Sequence, residues 1–264
     1  MKAKVVTSLN EYGIQVKKRF LRLMPAYFLF AGVVFFAKWG AQGVMHVDNP
    51  VHGLPDLIRI LLYPMQSISA FLWYIYVLFL FCTVSLALMS LTRGRILPLV
   101  VFGTILLFIQ GVSFLGMDQF CKYFLFFSLG GLAARYWQGY GVLLDWLWFP
   151  TSMAFMLMLL TSSYRGDGWI LTALLSLPAL HGLCRQRIPV RGILLYLGLM
   201  SFPIYLMNTL SIGLVKAVLL KFMSWDGMNF LLFAPVLTMA GLGIPILVKR
   251  YLIRRVGWLD RVTS

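Results

Sequence analysis

The chain has 264 residues, of which 61% are apolar and only 12% charged. Soluble globular chains average about 45–50% apolar and about 25% charged, so a disordered chain, a disulfide-stapled secreted domain and an ordinary soluble enzyme are excluded, and a polytopic helical membrane protein remains. The formal charge of +15 would suggest nucleic acid in a soluble protein; here it is read as basic cytoplasmic loops, with no nucleic-acid partner.

Residues 1–22 open the chain with a basic start but no apolar core of a signal peptide. Val5, Leu9, Tyr12 and Val16 fall on one helical face, with Lys17, Lys18, Arg19 and Arg22 following. The segment reads as a basic amphipathic helix on the inner membrane surface, or equally as a plain juxtamembrane tail. A bilayer core about 30 Å thick takes about 20 apolar residues as helix. Eight stretches fit: 23–45, 68–91, 96–116, 120–136, 143–162, 169–184, 193–215 and 228–248. The sixth, Trp169 to Cys184, is the shortest. With the N-terminus inside, 17 Lys and Arg fall on the inner side and 6 on the outer side, the bias that sets orientation in membranes. The expectation is therefore an all-α bundle of about eight transmembrane helices with both termini cytoplasmic. Residues 23–248 form one membrane domain in the bilayer, flanked by a basic cytoplasmic tail over 249–264. The outer stretch 38–67 is too long for a simple turn and is expected to cap an outer cavity.

Polar groups inside a bilayer are costly and are retained for packing or for function. In the seventh stretch Ser201, Tyr205 and Asn208 stand at i, i+4 and i+7, so they share a helix face. Pro203 frees the carbonyl of Leu199 and predicts a kink. The stripe reads as a wall contacting substrate, or as interhelical hydrogen bonding. The second stretch opens with Phe71, Trp73, Tyr74 and Tyr76, either an interfacial aromatic belt or part of an acceptor pocket. At the inner boundary Arg19 and Arg22 lie three apart on one face. They could hold the phosphates of a cytosolic donor, or simply touch anionic headgroups.

Other signals are weak. Cys82, Cys121 and Cys184 form no CxxC pair. His46, His52 and His181 show no metal-ligand spacing, so no metal is expected. Asp145 reads as snorkelling or pairing with Arg135. No phosphate-binding GxxxxGK[ST] loop or GxSxG elbow is present.

Three segments together resemble the acyltransferase-3 family of bacterial inner-membrane O-acyltransferases. Arg19-Phe20-Leu21-Arg22-Leu23-Met24-Pro25 is similar to the family's R-x-x-R-(I/L)-x-P opening of a membrane helix. The segment from Phe71 to Phe79 resembles its H-L-W-(F/Y)-L-x-x-L-x stretch, and Ser201 to Asn208 its S-x-x-I-Y-L-x-H stretch. The resemblance implies acyl transfer, acetyl above all, from acyl-CoA (acetyl-CoA) as co-substrate to an envelope glycan acceptor. It implies Arg19 and Arg22 at the donor, and Trp73, Tyr74, Tyr76, Ser201, Tyr205 and Asn208 at the acceptor. It also shows departures. Family members carry ten core spans, the first with an arginine and a histidine proposed as base, the second with an F-F-x-x-S-G-F/Y pattern. This chain starts at what would be the third span. Phe71 and Asn208 stand where the family often has histidines, so the catalytic residue is left unknown. The expectation is a shortened member, inactive alone unless a separate chain supplies the first two helices. The rival expectation is a non-enzymatic protein such as a glycan or lipid transporter component, although no internal repeat supports it.

Overall fold

A computed structural model describes residues 8–44, 47, 49–161, 166–186 and 189–263. It contains eleven α-helices joined by turns and short 3-10 segments, and no strand among the described residues. The helices are α1 (Leu9–Ala41), α2 (Pro55–Leu62), α3 (Trp73–Leu91), α4 (Leu97–Leu106), α5 (Met117–Arg135), α6 (Trp137–Leu160), α7 (Trp169–Arg185), α8 (Arg191–Leu199), α9 (Ser201–Leu219), α10 (Phe230–Tyr251) and α11 (Gly257–Val262). Among the described residues five helical stretches are long and apolar enough to cross a membrane: Asn10–Ala41, Ala70–Leu91, Trp137–Leu160, Ser201–Leu219 and Gly227–Arg255.

The expected boundary after residue 22 is not a break. Ser8 caps α1 by accepting from the Glu11 N–H at 3.1 Å, and the helix then runs through Pro25 to Ala41. Its first half packs along α3 in the antiparallel sense. Tyr12 donates its hydroxyl to the Thr83 carbonyl at 3.3 Å, the Phe20 and Phe79 rings lie 5.7 Å apart, and Tyr27 and Tyr76 lie 5.6 Å apart.

Two of the expected spans take a different form. The stretch 96–116 holds only the 10 residues of α4, about 15 Å of helix. Gly111 comes so close to the next helix that a Cβ there would lie 2.6 Å from the Asp118 Cα, and Leu115 and Gly116 adopt left-handed conformations, turning the chain directly into α5. The stretch 193–215 is divided at Met200 into α8 and α9. The break precedes Pro203, as its missing N–H requires.

Two apolar cores result. One gathers Met24, Tyr27 and Phe30 of α1, Ile60 of α2, Leu72 just before α3, Ile75 of α3, Leu206 of α9, and Ile253 and Val262 from the C-terminal end. The other gathers Phe81 of α3, Leu106 of α4, and Phe120 and Phe124 of α5, with the Phe81 and Phe127 rings stacked at 5.3 Å. Helices α6 and α7 pair closely with each other: a Cβ on Gly182 would lie 2.2 Å from the Trp148 Cβ. Between them Asp145 pairs bidentately with Arg185, both contacts at 2.9 Å. The sequence pointed to Arg135 instead. That guanidinium donates to the Gly94 carbonyl in the α3–α4 turn.

Tail residues 249–264 do not begin as a free basic segment. Lys249, only 4% exposed, lies within α10. Its ammonium donates to the Asp260 carboxylate at 2.9 Å, the Asp260 carbonyl at 3.1 Å and the Thr263 hydroxyl at 2.8 Å. Burying a lysine requires such saturation, and the clamp folds α11 back beside α1.

Candidate functional site

The site is assembled where α1, α3 and α9 meet. The start of α3 has no side-chain cap of its own. Tyr205 reaches it from α9: its hydroxyl donates to the Phe71 carbonyl at 2.5 Å, in the turn that leads into α3. The ring of Tyr74 meets that of Tyr205 edge-on at 5.9 Å. The aromatic stretch and the polar stripe are thus one junction, linked across 134 residues of sequence.

The other expected acceptor residues point in several directions. Trp73 packs on Tyr123 of α5 at 5.4 Å. Half-buried Tyr76 faces Tyr27. Ser201, the first residue of α9, is exposed. Asn208 Oδ1 accepts from the N–H and hydroxyl of Thr209 at 2.6 and 3.1 Å, and its Cβ lies on the side of α9 facing Gly241 of α10.

Arg19 lines a shallow groove with Glu11, Ile14, Gln15 and Lys18, all on α1, and Arg22 is exposed one turn on. A separate cavity of about 310 Å³ lies beyond the tyrosine junction. It runs between the second half of α1, the segment carrying Ile68 and Phe71, and α9 from Thr209 to Leu220. Lys38, which lines it, is about 24 Å further along α1 than Arg22 at the helical rise. Of the stretch 38–67 that was expected to cap an outer cavity, Lys38, Ala41 and Val47 line this one, while His46 and Asp48 lie outside the described residues. In the same stretch, buried Asp56 accepts the His52 N–H at 2.8 Å and faces Arg59, and Tyr27 donates to the Ile60 carbonyl.

Chemically the junction offers phenols, backbone carbonyls and amides. Phenols orient hydroxyl groups well but are poor bases near neutral pH. Of the imidazoles, His181 lies against Tyr140 at 2.8 Å in the α6–α7 pair, away from the junction. No group of three or more His, Cys, Asp or Glu that could hold a metal occurs among the described residues.

The model of the Acyltransferase domain, acyltransferase-3, matches residues 9–250. The chain belongs to the acyltransferase-3 family. The match covers nearly all of the 264 residues and includes all three segments quoted from the sequence. No curated protein and no solved structure matches it. In this acyltransferase-3 protein the residues that sequence reasoning missed are Tyr27, which packs on Tyr76, and the buried Lys249. Only Tyr27 left a signal: it lies two residues after Pro25, on the helix turn that follows the arginine pair.

Proposed function

We propose that this acyltransferase-3 protein is a multi-pass protein of the bacterial inner membrane that takes part in O-acylation of a cell-envelope polysaccharide, with a cytosolic acyl-CoA, acetyl-CoA above all, as donor. The observation that supports this reading best is the junction in which Tyr205 seats on the first turn of α3, because it unites two of the three segments typical of the family. In this reading the eight apolar stretches all cross or enter the bilayer, both termini face the cytoplasm, and the ends of α1 and α9 that carry Lys38 and Lys216 face outward.

In the reaction the sugar hydroxyl oxygen attacks the thioester carbonyl, the carbon–sulfur bond breaks, and CoA leaves as a thiol. Arg19 and Arg22 donate to the CoA phosphates, which suit planar guanidinium forks. Of the acceptor candidates Trp73, Tyr74, Tyr76, Ser201, Tyr205 and Asn208, the pair Tyr74 and Tyr205 at the junction shapes the acceptor side. The hydroxyl proton must pass to a base, worth about 10²–10⁴-fold in rate. We assign that base to a histidine on helices additional to those described, in the same polypeptide or a separate one.

The test is twofold. Deleting the gene is expected to remove O-acetyl signals from isolated envelope polysaccharide, read by NMR, and membranes containing the protein are expected to bind labelled acetyl-CoA. Unchanged O-acetylation together with no acetyl-CoA binding would overturn the proposal.

A further inference from the structure

Another cavity, of about 450 Å³, lies away from the tyrosine junction, in the wedge between α5 and the α6–α7 pair. Its volume is within the range of ligand pockets, about 300–1,000 Å³. Leu143 and Leu147 of α6 and Leu174 and Leu177 of α7 give it hydrocarbon walls. Gly130 of α5 and Gly139 of α6 keep the wedge open: a Cβ on either would meet no atom within 4 Å. Leu143 and Leu147 are 50% and 38% exposed, so the cavity is continuous with the apolar outer face of α6, a helix long and apolar enough to cross a membrane. One polar pair stands at its rim. The Tyr140 hydroxyl and the His181 Nδ1 lie 2.8 Å apart, and among the described residues this is the one side-chain hydrogen bond that either makes. A phenol and a neutral imidazole carry two polar hydrogens between them, and their mutual bond uses one. The other, on His181 Nε2 or on the Tyr140 oxygen according to the tautomer, is left to donate. One turn further along α7, Arg185 is already paired with Asp145, so the spare donor selects an uncharged acceptor. His181 lies about 6 Å along the helix from Arg185. The interfacial layer on each side of a bilayer is about 5–8 Å thick. With Arg185 among the headgroups, the pair sits at the base of that layer, where esters join lipid chains to their headgroup.

We infer that this cavity binds one acyl chain of a diacyl phospholipid, with the ester carbonyl of that chain accepting a hydrogen bond from the Tyr140–His181 pair. The chain fills the space that Gly130 and Gly139 leave and packs on the leucines of α6 and α7. The lipid thereby joins α5 to the α6–α7 pair. The site stands apart from the arginine pair on α1, and the inference does not depend on acyl transfer.

Native mass spectrometry of the full chain in detergent tests the site, with dipalmitoyl phosphatidylcholine, its diether counterpart, which lacks the carbonyls, and palmitate as probes. The wild-type protein is expected to retain the diester lipid about fivefold better than the diether, the factor that one neutral hydrogen bond supplies. The double variant Tyr140→Phe, His181→Leu is expected to hold both lipids equally, at the wild-type level for the diether, which guards against misfolding as the cause of the loss. Gly130→Leu fills the wedge without removing a contact. Eluting like the wild type, it is expected to lose about tenfold in retention of both lipids, the cost of expelling about two methylene groups. Equal retention of diester and diether by the wild type overturns the inference, as does an undiminished diester preference in the double variant. Undiminished retention in Gly130→Leu would put the lipid elsewhere and overturns it too. So does complete displacement of the diester lipid by equimolar palmitate, which would make this a site for a carboxylate. Because no acyl transfer is read, failure of the enzymatic proposal leaves this result intact, and the reverse.

Discussion

Replacing Tyr205 by Phe removes one oxygen and leaves the ring against Tyr74. That oxygen serves the Phe71 carbonyl. A buried carbonyl left without a donor costs about 1–3 kcal/mol. Interhelical hydrogen bonds in membranes lie lower, averaging about 0.6 and reaching about 1.7 kcal/mol, because the separated helices find other partners. The single bond places Tyr205→Phe at about 1 kcal/mol. For a chain of this size that corresponds to a fall of about 2–4 °C in Tm. The assay is fluorescence-detected size-exclusion chromatography after heating in detergent. Tyr74→Phe is the control: its side chain is 46% exposed, and a surface change costs about 0.5 kcal/mol or less. If Tyr205→Phe melts with the wild type, the phenol does not hold α9 to α3, and the junction at the centre of the proposed site is wrong.

Three further outcomes are expected. Gly182→Ala should destabilise by about 1–3 kcal/mol or more, since its Cβ would meet the Trp148 Cβ at 2.2 Å and force α6 from α7; an unchanged Tm would contradict the close approach of these helices. Asp260→Ala should lower stability by about 1–2 kcal/mol, less than a fully buried ion pair because the Asp260 side chain is 40% exposed. Lys249→Met should cost less, because it removes the buried charge rather than stranding it; the opposite order in thermal melts would refute the clamp. Arg19→Ala and Arg22→Ala should each raise the KM for acetyl-CoA about tenfold with kcat little changed, as expected for charged hydrogen bonds that bind donor and transition state alike; unchanged kinetics in both would remove the arginines from the donor site.

Much of the helical framework was legible because apolar runs declare membrane helices directly. A disturbance near Pro203 was legible, since a missing N–H acts locally, but in place of the kink expected in one helix the chain is divided at Met200. The shortness of α4 was not legible. It follows from the contact of Gly111 with the Met117–Asp118 backbone, and a glycine in an apolar run does not announce what approaches it. The partner of Asp145 was misjudged because Arg135 is nearer in sequence, whereas the antiparallel pairing of α6 and α7 brings Arg185 alongside. Lys249 resembled one more flanking cation, and only the return of α11 buries it. Within the site, the i, i+4, i+7 spacing groups Ser201, Tyr205 and Asn208, but Ser201 is exposed and the Asn208 Cβ lies toward Gly241 of α10. Sequence spacing could not indicate that Tyr205 alone would reach α3, because that depends on how α9 docks.

The long separation between Tyr205 and Phe71 has a consequence for biogenesis. At about 5–20 residues per second, the ribosome delivers Tyr205 about 7–27 s after Phe71. During that interval the first turn of α3 resides in the insertion machinery without its phenol. A nascent chain arrested before α9 emerges therefore leaves the Phe71 carbonyl without its donor, offering quality-control proteases a marker of unfinished assembly.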